Sequence, residues 1–339
     1  MKILLVQTGF IGDVILSTAV IANISYIYPE AKITLLTTPI AAELVKHDNA
    51  LHCTIAFDKR GKDSGFRGLF RMARKLKLES FDIAFSLHKS FRTSLLLYLA
   101  GIPLRYGFMA AAGKMLYSST ARREDLTHEV LRNLAIFRNI ALEPSNLDTD
   151  LRIDIPEEVK KEAREILKPA SAKKLIGLAP GSAWRTKQWT PEGYSNVAKE
   201  LSSLGHSIVL IGGPEDKEIG AIIENNTKGR ALNLIGKTSL ILSAAIISEL
   251  DLLISNDSAP VHIASALKVP VVVVYCATVE DFGFGPWNVS SKCLGVKTLA
   301  CRPCGLHGAN TCPVGTYACK VDLTPESVIA AARLLMDNG

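Results

Sequence analysis

PGSAWRTKQW, Pro180 to Trp189, and SNDSAPVHIASAL, Ser255 to Leu267, decide how this chain is read. Each follows an apolar run. Each reads as a buried strand that breaks on small residues and re-enters a helix, a geometry that offers backbone N–H groups and a helix N-terminus to an anion. The first stretch adds a cation, Lys187. The second adds Asp257, Ser258 and His262. Together they predict two walls of a pocket for a diphosphate-linked ligand.

Outward from these motifs the same rhythm repeats. In the first half, strands are expected at Lys2–Val6, Ile33–Thr37 and Phe81–Leu87, with helices from Asp13 to about Ile27 and over Leu95–Ala100. In the second half, strands are expected at Leu175–Leu178, Ser207–Ile211, Leu232–Ile235, Leu252–Ile254 and Val271–Tyr275. A last helix is capped by Thr324 and has Pro325 at its first position. Residues 141–172, with Pro144, Pro156 and Pro169, read as the inter-domain region. Alternating strands and helices give an α/β class with parallel sheets. Two doubly wound Rossmann-like domains facing across a cleft are the economical interpretation, with ligands at the carboxyl ends of the strands.

The composition fits a packed enzyme: 339 residues, 48% hydrophobic, enough for two domains with their own cores. No apolar run reaches the ~18 residues of a membrane span, and the N-terminus lacks a signal-peptide core, so a cytoplasmic location is expected. Net charge is +6, of which residues 1–150 carry +5. The most basic stretch of that half is Lys59–Lys77, KRGKDSGFRGLFRMARKLK, with eight cations against one acid. This run is either a solvated helix face or a surface for an acidic partner: nucleic acid, anionic lipid or a phosphorylated glycolipid. With only Phe66 and Phe70 interleaved, nucleic acid fits least well. Of seven cysteines, Cys53, Cys276 and Cys293 are isolated, while Cys301, Cys304, Cys312 and Cys319 cluster. Four thiolates at such spacing favour a structural Zn or Fe–S site over disulfides in the cytoplasm, with His307 as a rival ligand, and reduced thiols packed in a loop are the alternative.

Each candidate has a plainer alternative. Asp13, in TGFIGDV, is either a first-turn carboxylate on the helix dipole or a general base. The same turn has only Gly9 and Gly12, so the dinucleotide fingerprint fails and an NAD oxidoreductase is disfavoured. Lys187, bracketed by Trp184 and Trp189, is a surface lysine or a diphosphate cation. Asp257 is a helix cap, with His262 satisfied one turn in, or the loop holds phosphate through Ser258, free amides and His262.

On IGDVILSTAVI, PGSAWRTKQW, LNLIGKTSL (Leu232–Leu240) and NDSAPVHIASAL, the chain resembles, end to end, the ADP-heptose:lipopolysaccharide heptosyltransferases. These are inverting glycosyltransferases of the GT-B fold. The resemblance implies an acceptor-binding Rossmann-like domain over 1–155, a nucleotide-sugar-binding one over 172–323 and a C-terminal helix over 324–339. It implies Asp13 as base and Lys187 on the diphosphate. The nucleotide-sugar would meet Gly181, Ser182, Thr186, Lys187, Lys237, Asp257, Ser258, Ala259 and His262, with Glu215 or Asp216 near the ribose. The acceptor would meet Gly12, Arg60, Lys62 and Arg122. It further implies an ADP-heptose donor, a lipopolysaccharide-precursor glycolipid acceptor, no catalytic metal or other cofactor, and peripheral attachment at the cytoplasmic face of the inner membrane, with no nucleic acid partner. Ala259 stands where relatives often have Gly, and Ser258 where some have Thr, which leaves the donor sugar open. Another nucleotide-sugar or a protein acceptor is the alternative within the fold. A nucleotide- or metal-binding regulatory protein is the alternative outside it.

Overall fold

The structure is a computed structural model and describes residues 1–168 and 173–337. Position 172, where the second domain was expected to open, and the last two positions of the chain lie outside the described residues. The chain divides into two compact units, Met1–Asp154 and Ile155–Gly339.

In the first unit the strands are β1 Lys2–Val6, β2 Lys32–Thr37, β3 Cys53–Ala56, β4 Ile83–Ser86, β5 Leu104–Phe108 and β6 Ser119–Ala121. They pair in the order β3-β2-β1-β4-β5-β6. The second unit holds β7 Leu175–Ala179, β8 Ser207–Leu210, β9 Ala231–Asn233, β10 Leu252–Asn256, β11 Val271–Val274 and β12 Ser291–Leu294, ordered β12-β11-β10-β7-β8-β9. Every pairing is parallel, with registers such as Leu5 against Leu35 and Phe85, and Ile254 against Leu178 and Val272. A parallel sheet is covered on both faces, so its central strands are apolar throughout rather than alternating. Ile3, Leu4, Leu5, Leu252, Ile254 and Val272 are accordingly inaccessible to solvent.

Counted within its own unit, each sheet runs 3-2-1-4-5-6. The strand order reverses between the first and fourth strands, and ligands of such sheets bind outside the carboxyl ends at that reversal. In the first unit the reversal lies between β1 and β4, and Thr8 to Asp13 follow β1. In the second it lies between β7 and β10, where Pro180–Ser182 and Asp257–Ser258 emerge.

Two expectations need correction. The helix foreseen from Asp13 to Ile27 is two helices, Ile11–Ile15 and Thr18–Ile27. Ser17 and Thr18 turn their hydroxyls back onto the carbonyls of Val14 and Ile15, at 2.7 and 2.8 Å, which competes with helix propagation. Asn133 donates to the Leu16 carbonyl across 3.2 Å at this break. The second correction concerns Pro180–Ser182. No helix starts there; a 3₁₀ turn, Arg185–Lys187, intervenes and the helix begins at Pro191. Thr190 caps it by accepting from the Gly193 N–H at 3.0 Å. Of the two motifs, the second is the one where a helix starts directly after the strand, with Ser258 preceding the helix Ala259–Ala266.

Candidate active site

In the second unit, β7 and β10 deliver Lys187 and Asp257 to each other. Lys187 Nζ lies 2.6 Å from Asp257 Oδ2, with side-chain exposures of 14% and 9%. The same carboxylate oxygen accepts from the Thr278 hydroxyl at 2.7 Å. Thr278 was not foreseen; it lies just beyond β11 in a run with no local motif. The loop that carries it is tied down by Arg302, whose guanidinium donates to the carbonyls of Cys276, Val296 and Thr278 at 2.7, 3.1 and 2.8 Å. Lysine, carboxylate and hydroxyl thus form a preset array in which the cation's partner is itself held from behind.

Asn256 was missed as well. Fully buried at the end of β10, it donates to the Pro180 carbonyl at 2.6 Å and accepts from the Trp189 N–H at 2.9 Å. It therefore fixes the β7 loop against β10. Gln188 closes the loop on itself by donating to the Ser182 carbonyl at 2.9 Å. Trp189 belongs to the core; its indole N–H reaches the carbonyls of Lys320 and Leu323.

The remaining expected ligands divide by what their side chains already do. Thr186 is 2% exposed, and its hydroxyl exchanges hydrogen bonds with the backbone of Ala309 at 2.7 and 2.8 Å. It shapes the loop and presents no free hydroxyl to a ligand. Asp216 is buried against Gly181 and Gly212, where an added Cβ would collide with its carboxylate, and it accepts from the Gly213 N–H at 3.0 Å. Burial raises its pKa. Glu215, its neighbour, is exposed. Ser182, Ser258 and Ala259 are half-buried at the strand ends, and His262 is buried one turn into the helix. Ser258 makes no side-chain cap to its helix; its hydroxyl points back to the Asn256 carbonyl at 3.4 Å. Lys237, beyond β9, is exposed and donates to the Asn233 carbonyl at 2.8 Å.

In the first unit, Asp13 is the third residue of its helix and accepts from the Phe10 N–H at 2.8 Å. Its carboxylate fills the space that a side chain on Gly9 would need. Gly12 sits beside it in the same turn. The loop after β3 is braced by its own carboxylates: Asp58 accepts from the N–H groups of Gly61 and Lys62 at 2.9 and 3.2 Å, and Asp63 accepts from the Asp58 N–H at 3.1 Å. That brace brings Lys59 to within 2.9 Å of the Thr8 hydroxyl and lays Arg60 over the Phe10 ring at 5.7 Å. Burial, together with the charges of Arg60 and Arg92, lowers the Lys59 pKa, while Asp13 opposes the shift. Lys62 is exposed on the same loop. Arg122 follows β6, three strands away from β1, or about 14 Å at the usual spacing; of the expected acceptor residues it is the one the fold leaves apart from Asp13. His88, unforeseen, follows β4 at the reversal. Burial, then the charge of Lys59, pulls its pKa to about 4, so it is neutral at pH 7.

The cysteine cluster does not form the expected metal centre. Cys319 packs into the core with Trp189 and Cys276, while Cys304 points its thiol at the Cys301 carbonyl, 3.3 Å away. Among the described residues, no three His, Cys, Asp or Glu side chains converge as metal ligands. All seven cysteines are unpaired thiols.

A family model described as glycosyltransferase family 9 (heptosyltransferase) matches residues 69–313. The chain belongs to this family of glycosyltransferases. It is 27% identical to a lipooligosaccharide heptosyltransferase 2 of Campylobacter jejuni over 345 residues, covering 100% of this chain and 99% of the relative. Among solved structures, a glycosyltransferase family 9 protein from Veillonella parvula superposes with a TM-score of 0.89 at 24% identity, covering 100% of this chain and 98% of that one. The Escherichia coli ADP-heptose lps heptosyltransferase II gives 0.82 at 23%, covering 100% and 99%. The chain shares the GT-B fold of these structures.

Proposed function

We propose that this enzyme transfers a heptose, with inversion, from ADP-heptose to a sugar hydroxyl of the inner core of a lipopolysaccharide precursor. The observation that carries the reading is the Lys187–Asp257–Thr278 array at the strand-order reversal, beside the helix N-terminus at Ser258. A diphosphate needs a cation and N–H donors at that place, and both are there before any ligand arrives. The named donor and acceptor of the relatives supply the substrates of the proposal.

In the reaction, Asp13 takes the proton of the acceptor hydroxyl as its oxygen attacks the anomeric carbon from the face opposite the nucleotide. The bond from that carbon to the phosphate oxygen breaks, and its electron pair leaves with ADP. Negative charge grows on the diphosphate, where Lys187 and the helix dipole lower its energy most at the transition state. Asp257 aims the lysine, Glu215 reaches the ribose, and Gly181, Ser182, Lys237, Ala259 and His262 line the donor side. Asp216 and Thr186 hold the loops in shape. Arg60 and Lys62 meet the acidic groups of the acceptor. The glycolipid acceptor makes the enzyme a peripheral visitor to the cytoplasmic face of the inner membrane; no helix among the described residues is long and apolar enough to cross one.

Incubation with ADP-heptose and a truncated glycolipid acceptor, read by mass spectrometry, should show one added heptose and one ADP released. Transfer from a different nucleotide-sugar, with none from ADP-heptose, overturns the donor assignment.

A further inference from the structure

The helix Gly65–Glu79 is the most basic element of the chain and has one buried stripe, Gly68, Leu69, Met72, Ala73 and Leu76. At 100° per residue, these five positions occupy less than half of the wheel. The rest faces solvent, and it is not the usual polar surface. Phe66 and Phe70, one turn apart, are 76% and 56% exposed. Around them stand Arg67, Arg71, Arg74, Lys75 and Lys77, with no acid before Glu79 at the end of the helix. Arg71 is held by Asp63 at 2.6 Å; among the described residues the other four cations have no ion pair.

Exposed apolar side chains also stand on the neighbouring elements. The helix Phe91–Leu99 packs against it and exposes Phe91 at its own start, and the turn Lys114–Leu116 packs on that second helix with Met115 92% exposed. Both helices begin at the carboxyl edge of the sheet, where β3 and β4 end. The first follows directly on the loop that places Lys59 and Arg60 beside the Asp13 turn.

From this juxtaposition we infer that the solvent face of Gly65–Glu79, with Phe91 and Met115, is the surface by which the enzyme seats on an anionic lipid bilayer. Exposed aromatics flanked by unneutralised cations are what a headgroup layer takes up: rings enter the acyl boundary while lysine and arginine meet lipid phosphates. A nucleic acid would use the cations and leave the phenylalanines idle. A protein partner would use the rings, but four unpaired cations on the same face would then need a matching acidic surface. The inference rests on the transferase reading only in its purpose, since it sets the catalytic edge of the first unit at the membrane where a glycolipid acceptor resides.

The test is co-sedimentation of the full chain with phosphatidylcholine vesicles, with and without phosphatidylglycerol. Wild type should pellet with the anionic vesicles. Arg67→Glu/Arg74→Glu should lower partitioning at least about thirtyfold, since each cation near an anionic surface carries about a fivefold factor. Phe66→Ser/Phe70→Ser should lower it as well, and its loss should persist at high salt, where the charge contribution fades. All four positions are on the surface, so thermal unfolding should match wild type. Transfer to an acceptor fragment without acyl chains should be unchanged in both variants, while transfer to a vesicle-embedded acceptor falls. Wild type remaining in the supernatant, variants pelleting like wild type, or binding to duplex DNA in preference to vesicles each overturns the membrane surface. Loss of transfer with intact vesicle binding instead counts against the transferase reading.

Discussion

Replacing Lys187 by Met removes the cation and keeps much of the apolar stem. Asp257 then remains buried with a single polar neighbour in place of two, the Thr278 hydroxyl at 2.7 Å. Breaking a buried ion pair from one side costs about 3–5 kcal/mol, because a charge stays behind without its partner. The retained hydroxyl and the residual exposure of the pair reduce this to about 2–3 kcal/mol here. In a unit of this size each kcal/mol moves the melting temperature by about 2–4 °C, so a fall of about 4–12 °C is expected. ADP affinity should fall separately, by about 10- to 100-fold, the worth of one charge-assisted contact. Adding Asp257→Asn to the same chain splits the two effects. The neutral amide still accepts from Thr278, so most of the stability returns, while ADP affinity stays low. Thermal unfolding and ADP titration by calorimetry on both variants measure this directly. A single variant that melts with wild type would refute the buried pair. A double variant that regains ADP binding would show that Lys187 is not the diphosphate cation.

Asp13→Asn should lower kcat at least about 100-fold with ADP affinity intact, since a general base contributes about 10²–10⁴-fold; residual turnover above a tenth of wild type removes the base role. Arg60→Glu with Lys62→Glu should raise KM for a phosphorylated acceptor without changing ADP binding, and the effect should shrink at high salt; equal acceptor kinetics at low salt return these residues to solvent. His88 titrates at about 4 in the folded chain against an ordinary value of 6.5. Below pH 6.5 the unfolded chain takes a proton that the folded one refuses, so the stability due to neutral His88 is complete above pH 6.5 and drains away toward pH 4. The loss is at most about 3 kcal/mol. His88→Asn should flatten the dependence of melting temperature on pH across that window, and an unchanged slope would discount burial as the cause.

The central strands were legible because both of their faces are buried. Lys2–Val6 and Val271–Val274 are short apolar runs, and the structure has them within one residue of the expected ends. The strands left unforeseen are largely edge strands. β3, β6 and β12 are short and only partly covered, so their sequences CTIA, STA and SKCL form no sustained apolar run. The break at Leu16–Ser17 was hidden for a different reason. Hydroxyl back-bonds and a distant asparagine decide it, while the local pattern reads as one apolar helix.

At the candidate site, the sequence named the right strand ends but could not say which polar groups the backbone consumes. Lys187 and Asp257 are seventy residues apart, and nothing in either motif states that they pair. Thr278 has no local pattern, and Asn256 lies inside a motif that says nothing of its role, because their partners follow other strands: Asp257 after β10, Pro180 and Trp189 after β7. Asp216 shows how close the information came. Gly181 and Gly212 leave room for its carboxylate, which also accepts from the Gly213 N–H, and glycine at the ends of two adjacent strands is what a buried carboxylate between them requires. Read together, those glycines would have separated Asp216, which closes the turn, from Glu215, which stays exposed. Thr186 and the four cysteines obey the same rule. Spacing puts them near one another, but Ala309 takes the threonine hydroxyl and the core takes Cys319, so proximity in sequence does not leave those groups available for chemistry. What remains available at the strand ends, Lys187, Glu215 and the Ser258 helix start, is the set that the backbone does not need for itself.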